Sequence, residues 1–260
     1  MVKIVILMLV HKNQEQTNRL VNHLSKDFDV YVHIDANSEI KINNNKRVYV
    51  YKKYKTKWGS FNIVNATLLL LKNAYKKDAY ERYILLSGQD LPLKTNADII
   101  SFFTCNENEY IETNKISFKQ WNHKKIICNI MNNFIKQVFK YDFYCGSQWF
   151  NLTKSSVKKI LNYIVCNKIF LIKYHFLENI YWKDCSDEKF FQTLIHLIGD
   201  VKIVNDNLRY IDWTDQYKHP LILHENDYDK IIHSTALFAR KFDDTVDNGI
   251  IEKIYLKTDG

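Results

Sequence analysis

The sequence predicts an α/β protein in which helices flank a mixed, mostly parallel central sheet. Strand-like apolar segments alternate with helical patterns over roughly the first 100 residues, the arrangement typical of parallel strands joined by crossover helices. Of the 260 residues, 46% are hydrophobic and 25% are charged, proportions that exclude a disordered or fibrous chain. Because the chain has only 6 Gly and 2 Pro and no internal repeat or linker, we expect a single domain.

The predicted elements follow one another closely in the first half and are less regular in the second. The first half contains a strand over 2–10, a helix through Leu24, strands over 28–34 and 47–51, a helix over 62–75, a strand over 83–86, and a helix beginning at 95–98. In the second half, the apolar spacing predicts a basic helix over 155–165, a helix after Glu188 and a strand near 202–204, followed by a polar, aromatic tail.

Hydropathy and cysteine usage indicate a soluble intracellular protein. The early apolar run Ile4–Val10 is far shorter than the roughly 20 residues of a membrane-spanning helix. His11 and Lys12 follow it directly, so the run does not resemble a signal peptide with a cleavage site. The 5 cysteines are widely spaced and include no CxxC pair, which argues against a disulfide framework or a zinc site.

The formal net charge of +8 suits an anionic partner, and three classes fit: nucleic acid, an anionic membrane surface or a phosphorylated substrate. The lysines are spread along the whole chain, so a solvated basic surface explains the charge equally well. No recognition helix, RNA-recognition motif or zinc finger accompanies the charge. We therefore do not expect nucleic acid as the partner.

Ligands of parallel α/β sheets bind beyond the carboxyl ends of strands, and polar residues follow two predicted strands. Asp35 ends one strand, where it fits either a ribose or base contact or ordinary turn chemistry. Asp90, after Gly88, either orients a sugar or closes the turn. The chain has neither GxGxxG after its first strand nor GxxxxGK[ST], so dinucleotide and P-loop sites are disfavoured.

Three further segments carry candidate chemistry, each with an alternative structural explanation. Asp187 and Glu188 precede an amphipathic run, where a carboxylate either caps a helix or acts as a general base. The segment Gly146-Ser147-Gln148-Trp149 combines small residues, an amide and an indole, which suits a sugar, although a strand beginning with a bulge also explains it. Arg240 and Lys241 lie in an apolar frame, which suits either a diphosphate or a basic surface pair.

Metal ligation has little support in the sequence. Two DxD triplets occur, Asp27-Phe28-Asp29 and Asp227-Tyr228-Asp229. In metal-dependent nucleotide-sugar enzymes such a triplet follows a central strand, whereas the first triplet precedes a predicted strand and the second lies in the late polar segment. We expect no metal site and no cofactor.

Taken together, these segments resemble the core-2/I-branching glycosyltransferase family, which includes the peptide O-xylosyltransferases. The resemblance covers about residues 5–245 and rests on eight motifs in order: LVHK at 9–12, VHID at 32–35, KWGS at 57–60, LSGQDLPLK at 86–94, GSQW at 146–149, DEKFF at 187–191, RYIDW at 209–213 and LFARKFD at 237–243. It implies a GT-A-type fold, with 1–105 as the nucleotide-binding half and 106–260 as the acceptor-binding and catalytic half of one domain.

The resemblance also implies an inverting, metal-independent transfer of a sugar from a UDP-sugar to an acceptor hydroxyl. Glu188 matches the catalytic base, and Lys241 matches a cation that neutralises the diphosphate. A second such cation, an arginine in the family, falls near His219, where Lys218 or Arg240 would substitute for it.

Further matches divide into donor and acceptor contacts. Val10 and Asp35 match uridine contacts, while Glu112 and Trp213 match acceptor contacts, and Lys119 falls near another. Gly146, Ser147 and Asp90 complete the expected acceptor site on the chemistry of their side chains and backbone.

UDP-GlcNAc is the first expectation for the donor, with UDP-xylose or UDP-galactose as alternatives. Animal members add a membrane anchor, a stem and disulfides, so the resemblance here implies a bacterial, cytoplasmic member that builds surface polysaccharide on a lipid-linked acceptor at the inner face of the membrane. The alternatives of another class are a non-catalytic basic module that binds nucleic acid or an acidic polymer, and a glycosidase, which requires a second opposed carboxylate.

Overall fold

The computed structural model describes residues 2–116, 141–171, 174, 185–213 and 219–259. The strands are β1 Ile4–Val10, β2 Asp29–Ile34, β3 Val48–Tyr51, β4 Arg82–Ser87, β5 Asp90–Pro92, β6 Glu109–Ile111, β7 Asn114–Lys115, β8 Tyr144–Cys145, β9 Phe150–Thr153, β10 Ile203–Val204, β11 Arg209–Ile211 and β12 Phe238–Arg240. The α-helices are α1 Gln14–Leu24, α2 Phe61–Tyr75, α3 Asn96–Phe103, α4 Lys154–Cys166, α5 Phe190–Leu197, α6 Tyr228–Ile232 and α7 Asn248–Thr258, with 3-10 turns at Ser186–Glu188 and Glu225–Asp227.

The central sheet has seven strands in the order β10-β6-β9-β4-β1-β2-β3. β1 pairs in parallel with both β2 and β4, and β9 is antiparallel to both of its neighbours. Strands from both halves of the chain thus share one sheet. This architecture confirms the predicted mixed, mostly parallel α/β fold.

Both faces of the sheet are covered, which explains the continuous apolar run of β1. Ile4, Ile6 and Met8 pack into a core that includes side chains of α1, α3 and α7. Val5 and Leu7 alternate with them and pack into a second core that includes side chains of α2, α4 and α5. The sheet is therefore a rigid middle layer, and its strand ends have fixed positions.

The helix start predicted at 95–98 is confirmed with its capping chemistry. The Thr95 hydroxyl accepts a hydrogen bond from the Asp98 amide, and the Asp98 carboxylate accepts from the Thr95 amide and hydroxyl. This reciprocal pattern satisfies amides that the first helical turn leaves unpaired.

β2 passes to β3 through residues 35–47 without a helix, as the predicted succession of strands over 28–34 and 47–51 requires. The second half differs from the prediction in one segment. The segment expected to be a polar, aromatic tail contains β11, β12, α6 and α7. β12 lies between β11 and β5 in a second sheet of three strands, and its antiparallel register places Arg240 opposite Asp90.

Candidate functional site

The ends of β1, β2 and β4 meet at one edge of the central sheet, as predicted. Val10 lies beside Ile34, and Leu9 lies beside Ser87. The Asp35 amide donates to the Val10 carbonyl at 2.9 Å. This carboxyl edge therefore gathers the residues expected to hold the uridine.

The carboxylate of Asp35 is buried and already has partners. It accepts hydrogen bonds from the amide and hydroxyl of Thr56 and from the Asn37 amide. Burial alone would raise the pKa of Asp35, but these hydrogen bonds outweigh it and leave the pKa below the ordinary value. Asp35 thus makes the hydrogen bonds expected of a turn residue, and its predicted contact with uridine stays a prediction.

Three cationic side chains, Lys12, Arg240 and Lys241, lie where β1 and β12 end. Lys241 is half-buried, and its ammonium group makes no hydrogen bond or ion pair with any residue that the structure describes. Burial and the neighbouring charges of Lys12 and Arg240 lower the pKa of Lys241. Desolvation of its ring lowers the pKa of His11, and the charges of Lys12 and Lys241 lower it further. An ammonium group in such surroundings is stabilised by an anionic ligand.

The other cations of this group have protein partners. Lys12 forms an ion pair of 2.6 Å with Asp243. The guanidinium of Arg240 lies 4.2 Å from the centre of the Trp149 ring and 3.1 Å from Asp90. Of Lys12, Arg240 and Lys241, Lys241 is consequently the one whose charge is not engaged by another described residue and is available to a ligand.

Asp90 is fully buried, and both of its oxygens are engaged, one by Arg240 and the other by the Ser87 amide at 2.6 Å. In this arrangement Asp90 stabilises the turn after β4 and positions Arg240. Two contacts stay predictions: that of Asp90 with the acceptor and that of Arg240 with the donor. A ligand that reached these side chains would contact them as an ion pair.

His219 is exposed, with its ring edge-on to Trp58 at 5.5 Å between ring centres. Lys218 and Lys119 lie outside the described residues. Trp213 has 56% of its surface exposed, as expected of an aromatic side chain that stacks on a ligand from solution.

Glu188 lies in a 3-10 turn held by backbone contacts on both sides. The Ser186 amide donates to the Gly59 carbonyl at 3.1 Å, and the Gly146 amide donates to the Glu188 carbonyl at 2.9 Å. The alternative that a carboxylate of this turn caps a helix is wrong, because Lys189 occupies the cap position of α5 and no side chain caps it. Neither Asp187 nor Glu188 is therefore explained by capping.

The surroundings of the Glu188 carboxylate shift its pKa upward. Burial and the charge of Glu112 raise the pKa of Glu188, against opposing contributions from Lys189 and from a hydrogen bond with the Cys185 side chain. A carboxylate with a raised pKa is a stronger proton acceptor than an exposed one.

Gly146 explains why Glu112 and Glu188 share one site. A Cβ atom at position 146 would lie 2.0 Å from the Glu112 carbonyl oxygen, so only glycine permits this approach of two backbones. The Ser147 carbonyl accepts a hydrogen bond from Gln192 at 2.6 Å, and Asn207 donates to Glu112 at 3.2 Å. Residues 146–149 connect the Glu188 turn to Trp149, whose ring lies against the Arg240 guanidinium. Three residue steps span at most about 11 Å.

Asp187, which precedes Glu188, is buried with one oxygen unpartnered. Burial and the Glu188 charge raise the pKa of Asp187 to about 7. The folded state therefore binds a proton that the unfolded state releases, and stability falls as pH rises from about 4 to 7.

We expect Asp187→Asn to increase the free energy of unfolding, and by more at pH 8 than at pH 5, with a difference on the order of 2 kcal/mol. Urea unfolding at both pH values measures this, with the exposed Asp229→Asn as the matched control. An equal gain at both pH values would contradict the proposed protonation of Asp187.

Three carboxylates of the two DxD triplets have partners within the protein. Asp29 begins β2, at the end opposite to Asp35, and forms an ion pair with Lys77. Asp27 accepts from Asn96, and Asp227 accepts from the His224 amide. Within the part of the chain that the structure describes, no three His, Cys, Asp or Glu side chains cluster as metal ligands.

Several residues that build the site could not be predicted from the sequence. Thr56 donates a hydrogen bond to Asp35, which is 21 residues away in the sequence, and Asn207 donates one to Glu112, which is 95 residues away. Cys185 adopts a left-handed conformation with φ of 68° and precedes the Glu188 turn. A cysteine in that conformation is uncommon, and no pattern in the sequence predicts it.

In the described ranges, the helices are all too short or too polar to cross a bilayer.

Comparisons with known proteins show the family of the chain. The family model described as Core-2/I-Branching enzyme matches residues 5–231. Xylosyltransferase 2 of Rattus norvegicus is 22% identical over an alignment 293 positions long, gaps included, which covers 97% of this chain and 33% of that protein. Beta-glucuronosyltransferase GlcAT14B of Arabidopsis thaliana is 25% identical over an alignment 284 positions long, which covers 98% of this chain and 62% of that protein. The chain thus spans between a third and two thirds of the length of these relatives.

Among solved structures, a glycosyltransferase involved in the glycosylation of the major capsid of PBCV-1 aligns over 98% of both chains, with a TM-score of 0.44 and 12% identity.

Proposed function

The chain belongs to the Core-2/I-Branching enzyme family, and from that premise we propose that it transfers a sugar from a UDP-sugar to a glycan hydroxyl with inversion and without a metal. The observation that carries the proposal is the presence of a partly buried carboxylate with a raised pKa, Glu188, together with an unpaired, half-buried ammonium, Lys241. A binding module needs no such base, so this pairing favours catalysis over the basic-module alternative.

In the proposed reaction, Glu188 accepts the proton of the acceptor hydroxyl as its oxygen attacks the anomeric carbon. A bond forms between that oxygen and the carbon, and the bond from the carbon to the UDP oxygen breaks. Attack on the face opposite UDP inverts the anomeric centre. The raised pKa of Glu188 supports this role, because the base takes the proton while the new bond forms.

The leaving UDP carries the electron pair of the broken bond as negative charge on its diphosphate. Lys241 lies next to Arg240 and near Lys12 and His11, so a positive field surrounds the place expected for the diphosphate. A preorganised positive field stabilises the charge that develops in the transition state. In this proposal Lys241 supplies the charge that a divalent metal supplies elsewhere, and the position of the first DxD triplet, at the end of β2 opposite to Asp35, supports that assignment.

On the acceptor side, Glu112 adjoins the base through Gly146, and Ser147 and Trp213 complete the proposed surface. The relatives are named for the transfer of xylose and glucuronic acid, while the family description refers to branching enzymes. We retain GlcNAc as the first donor for testing, with xylose and galactose as alternatives.

The proposed setting is the cytoplasmic face of a bacterial membrane, where the enzyme would elongate a lipid-linked precursor of surface polysaccharide. The net charge of +8 supports a peripheral contact with an anionic leaflet, because basic residues are attracted to its negative surface potential.

Thermal stabilisation by a panel of UDP-sugars, in EDTA and in Mn²⁺, tests the proposed donor class. We expect one UDP-sugar to raise Tm equally in both buffers, since ligand binding to the native state alone stabilises it. Stabilisation by Mn²⁺ and nucleotide together, but not by nucleotide in EDTA, would overturn the role given to Lys241.

A further inference from the structure

Asn207 has a buried side chain to which the proposed mechanism gives no role. It lies two residues before β11, and its amide nitrogen donates a hydrogen bond to one carboxylate oxygen of Glu112 at 3.2 Å. The other carboxylate oxygen of Glu112 accepts no hydrogen bond from a residue that the structure describes. The direction in which the Glu112 carboxylate points is therefore set by Asn207.

The orientation of the Asn207 amide is fixed by its own oxygen. That oxygen accepts a hydrogen bond from the Arg209 amide at 2.9 Å, across a turn in which Leu208 adopts a left-handed φ of 59°. Because the nitrogen of a side-chain amide only donates and its oxygen only accepts, a rotated Asn207 amide would lose both contacts. The nitrogen thus faces Glu112 as a fixed donor.

The backbone of Asn207 is anchored to the central sheet. Its carbonyl accepts hydrogen bonds from the Asn151 side-chain amide at 3.2 Å and from the Arg209 guanidinium. Asn151 is fully buried in β9, and Arg209 also donates to the Leu85 carbonyl of β4. The donor to Glu112 is consequently held as firmly as a residue of the sheet, although it lies in a turn.

The position of the Glu112 carboxylate also affects Glu188. The Glu112 carbonyl lies against Gly146, and the Gly146 amide donates to the Glu188 carbonyl. The charge of Glu112 raises the pKa of Glu188, an effect that weakens as the distance between the two carboxylates grows. A side chain that fixes Glu112 therefore fixes a part of the electrostatic surroundings of Glu188.

We propose that Asn207 is a positioning residue of the acceptor site, which holds the Glu112 carboxylate so that its other oxygen accepts a hydrogen bond from a hydroxyl of the acceptor sugar. This inference deepens the proposed function and rests on the acceptor role given there to Glu112. A hydrogen bond to a charged group is stronger than one between neutral groups. A carboxylate that is already oriented does not have to be ordered when the acceptor binds.

Asn207→Asp separates positioning from turn formation. The aspartate keeps an oxygen for the Arg209 amide, but its second oxygen replaces the donor that faces Glu112 and repels that carboxylate. A residue that only closed the turn would tolerate this change. The matched control is Asn248→Asp on α7, where an exposed asparagine donates to Glu252 at 3.4 Å, so the same change is made at the same kind of contact.

An NMR titration of Glu188, in a chain with carbon-13 in its glutamate carboxyl groups, tests the inference without any substrate. Asn207→Ala should lower the titration midpoint of Glu188 by a few tenths of a pH unit, because the released Glu112 carries its charge away. Glu112→Gln should lower the midpoint as well. In the Glu112→Gln background, Asn207→Ala should add nothing. The signal that disappears in Glu188→Gln identifies the resonance.

Transfer from UDP-GlcNAc to phenyl β-galactoside provides the kinetic measurement. We expect Asn207→Asp to raise the KM for the galactoside at least about tenfold, with UDP affinity within about twofold of that of the unaltered chain. Asn248→Asp should change neither quantity. A crystal structure of Asn207→Asp should show the turn intact and the Glu112 carboxylate moved away from position 207.

An Asn207→Asp variant that kept the KM for the galactoside, or whose crystal structure showed Glu112 unmoved, would overturn the inference. So would a Glu188 midpoint that falls in Glu112→Gln but not in Asn207→Ala. A chain that transfers no sugar from any UDP-sugar would contradict the proposed function instead. In that case the titration of Glu188 and the crystal structure would still decide whether Asn207 positions Glu112.

Discussion

Glu188→Gln is expected to lower kcat by about 10²- to 10⁴-fold, the range associated with loss of a general base. Glutamine keeps the shape of the side chain but does not accept the acceptor proton. UDP affinity should stay within about twofold, because the lost interaction belongs to the transition state. Transfer assays and UDP titration on the same preparation separate the two quantities.

The matched control is the exposed Glu107→Gln, which should leave both kcat and UDP affinity unchanged. The pH profile provides a second measurement, since kcat/KM should decline on the acid side with an apparent pKa above that of an ordinary glutamate. If Glu188→Gln retained most of its turnover, the identification of the base would be wrong.

Lys241→Ala should weaken UDP binding by roughly 10- to 100-fold and slow transfer as well, because a charge-assisted contact with the diphosphate is lost. The side chain has no partner among the described residues, so its removal breaks no ion pair and should leave the fold stable. Calorimetric titration with UDP and a transfer assay measure the two effects.

Lys241→Arg, which keeps the charge, should recover part of the lost UDP affinity. Lys72→Ala, at an exposed position on α2, controls for the change in net charge. An Ala variant at position 241 that binds UDP as tightly as the unaltered chain would remove Lys241 from the diphosphate site.

The first half of the fold is predictable from sequence because its elements are long and strongly patterned. β1 is a continuous apolar run buried on both faces, and α2 shows helical spacing throughout its 15 residues. The strands β5, β11 and β12 have three residues each, which is too short for alternation to appear. Their positions depend on pairing with distant segments.

The site divides in the same way between local and long-range information. Asp35 and Glu188 are identifiable because each closes or precedes a patterned element, and the resemblance to a family assigns them roles. The ion pair of Arg240 with Asp90 spans 150 residues, and that of Lys12 with Asp243 spans 231. Local patterns contain no information about such partners, so the occupied charge of Arg240 and the available charge of Lys241 become distinguishable only in the structure.

The central claim, a UDP-sugar transferase that uses Lys241 in place of a metal, is tested most directly by the Tm panel of UDP-sugars with EDTA and with Mn²⁺. The prediction is a rise in Tm with one UDP-sugar that is equal in the two buffers and is lost in Lys241→Ala. A rise that requires Mn²⁺ and persists in Lys241→Ala would contradict the claim and return the DxD triplets to consideration.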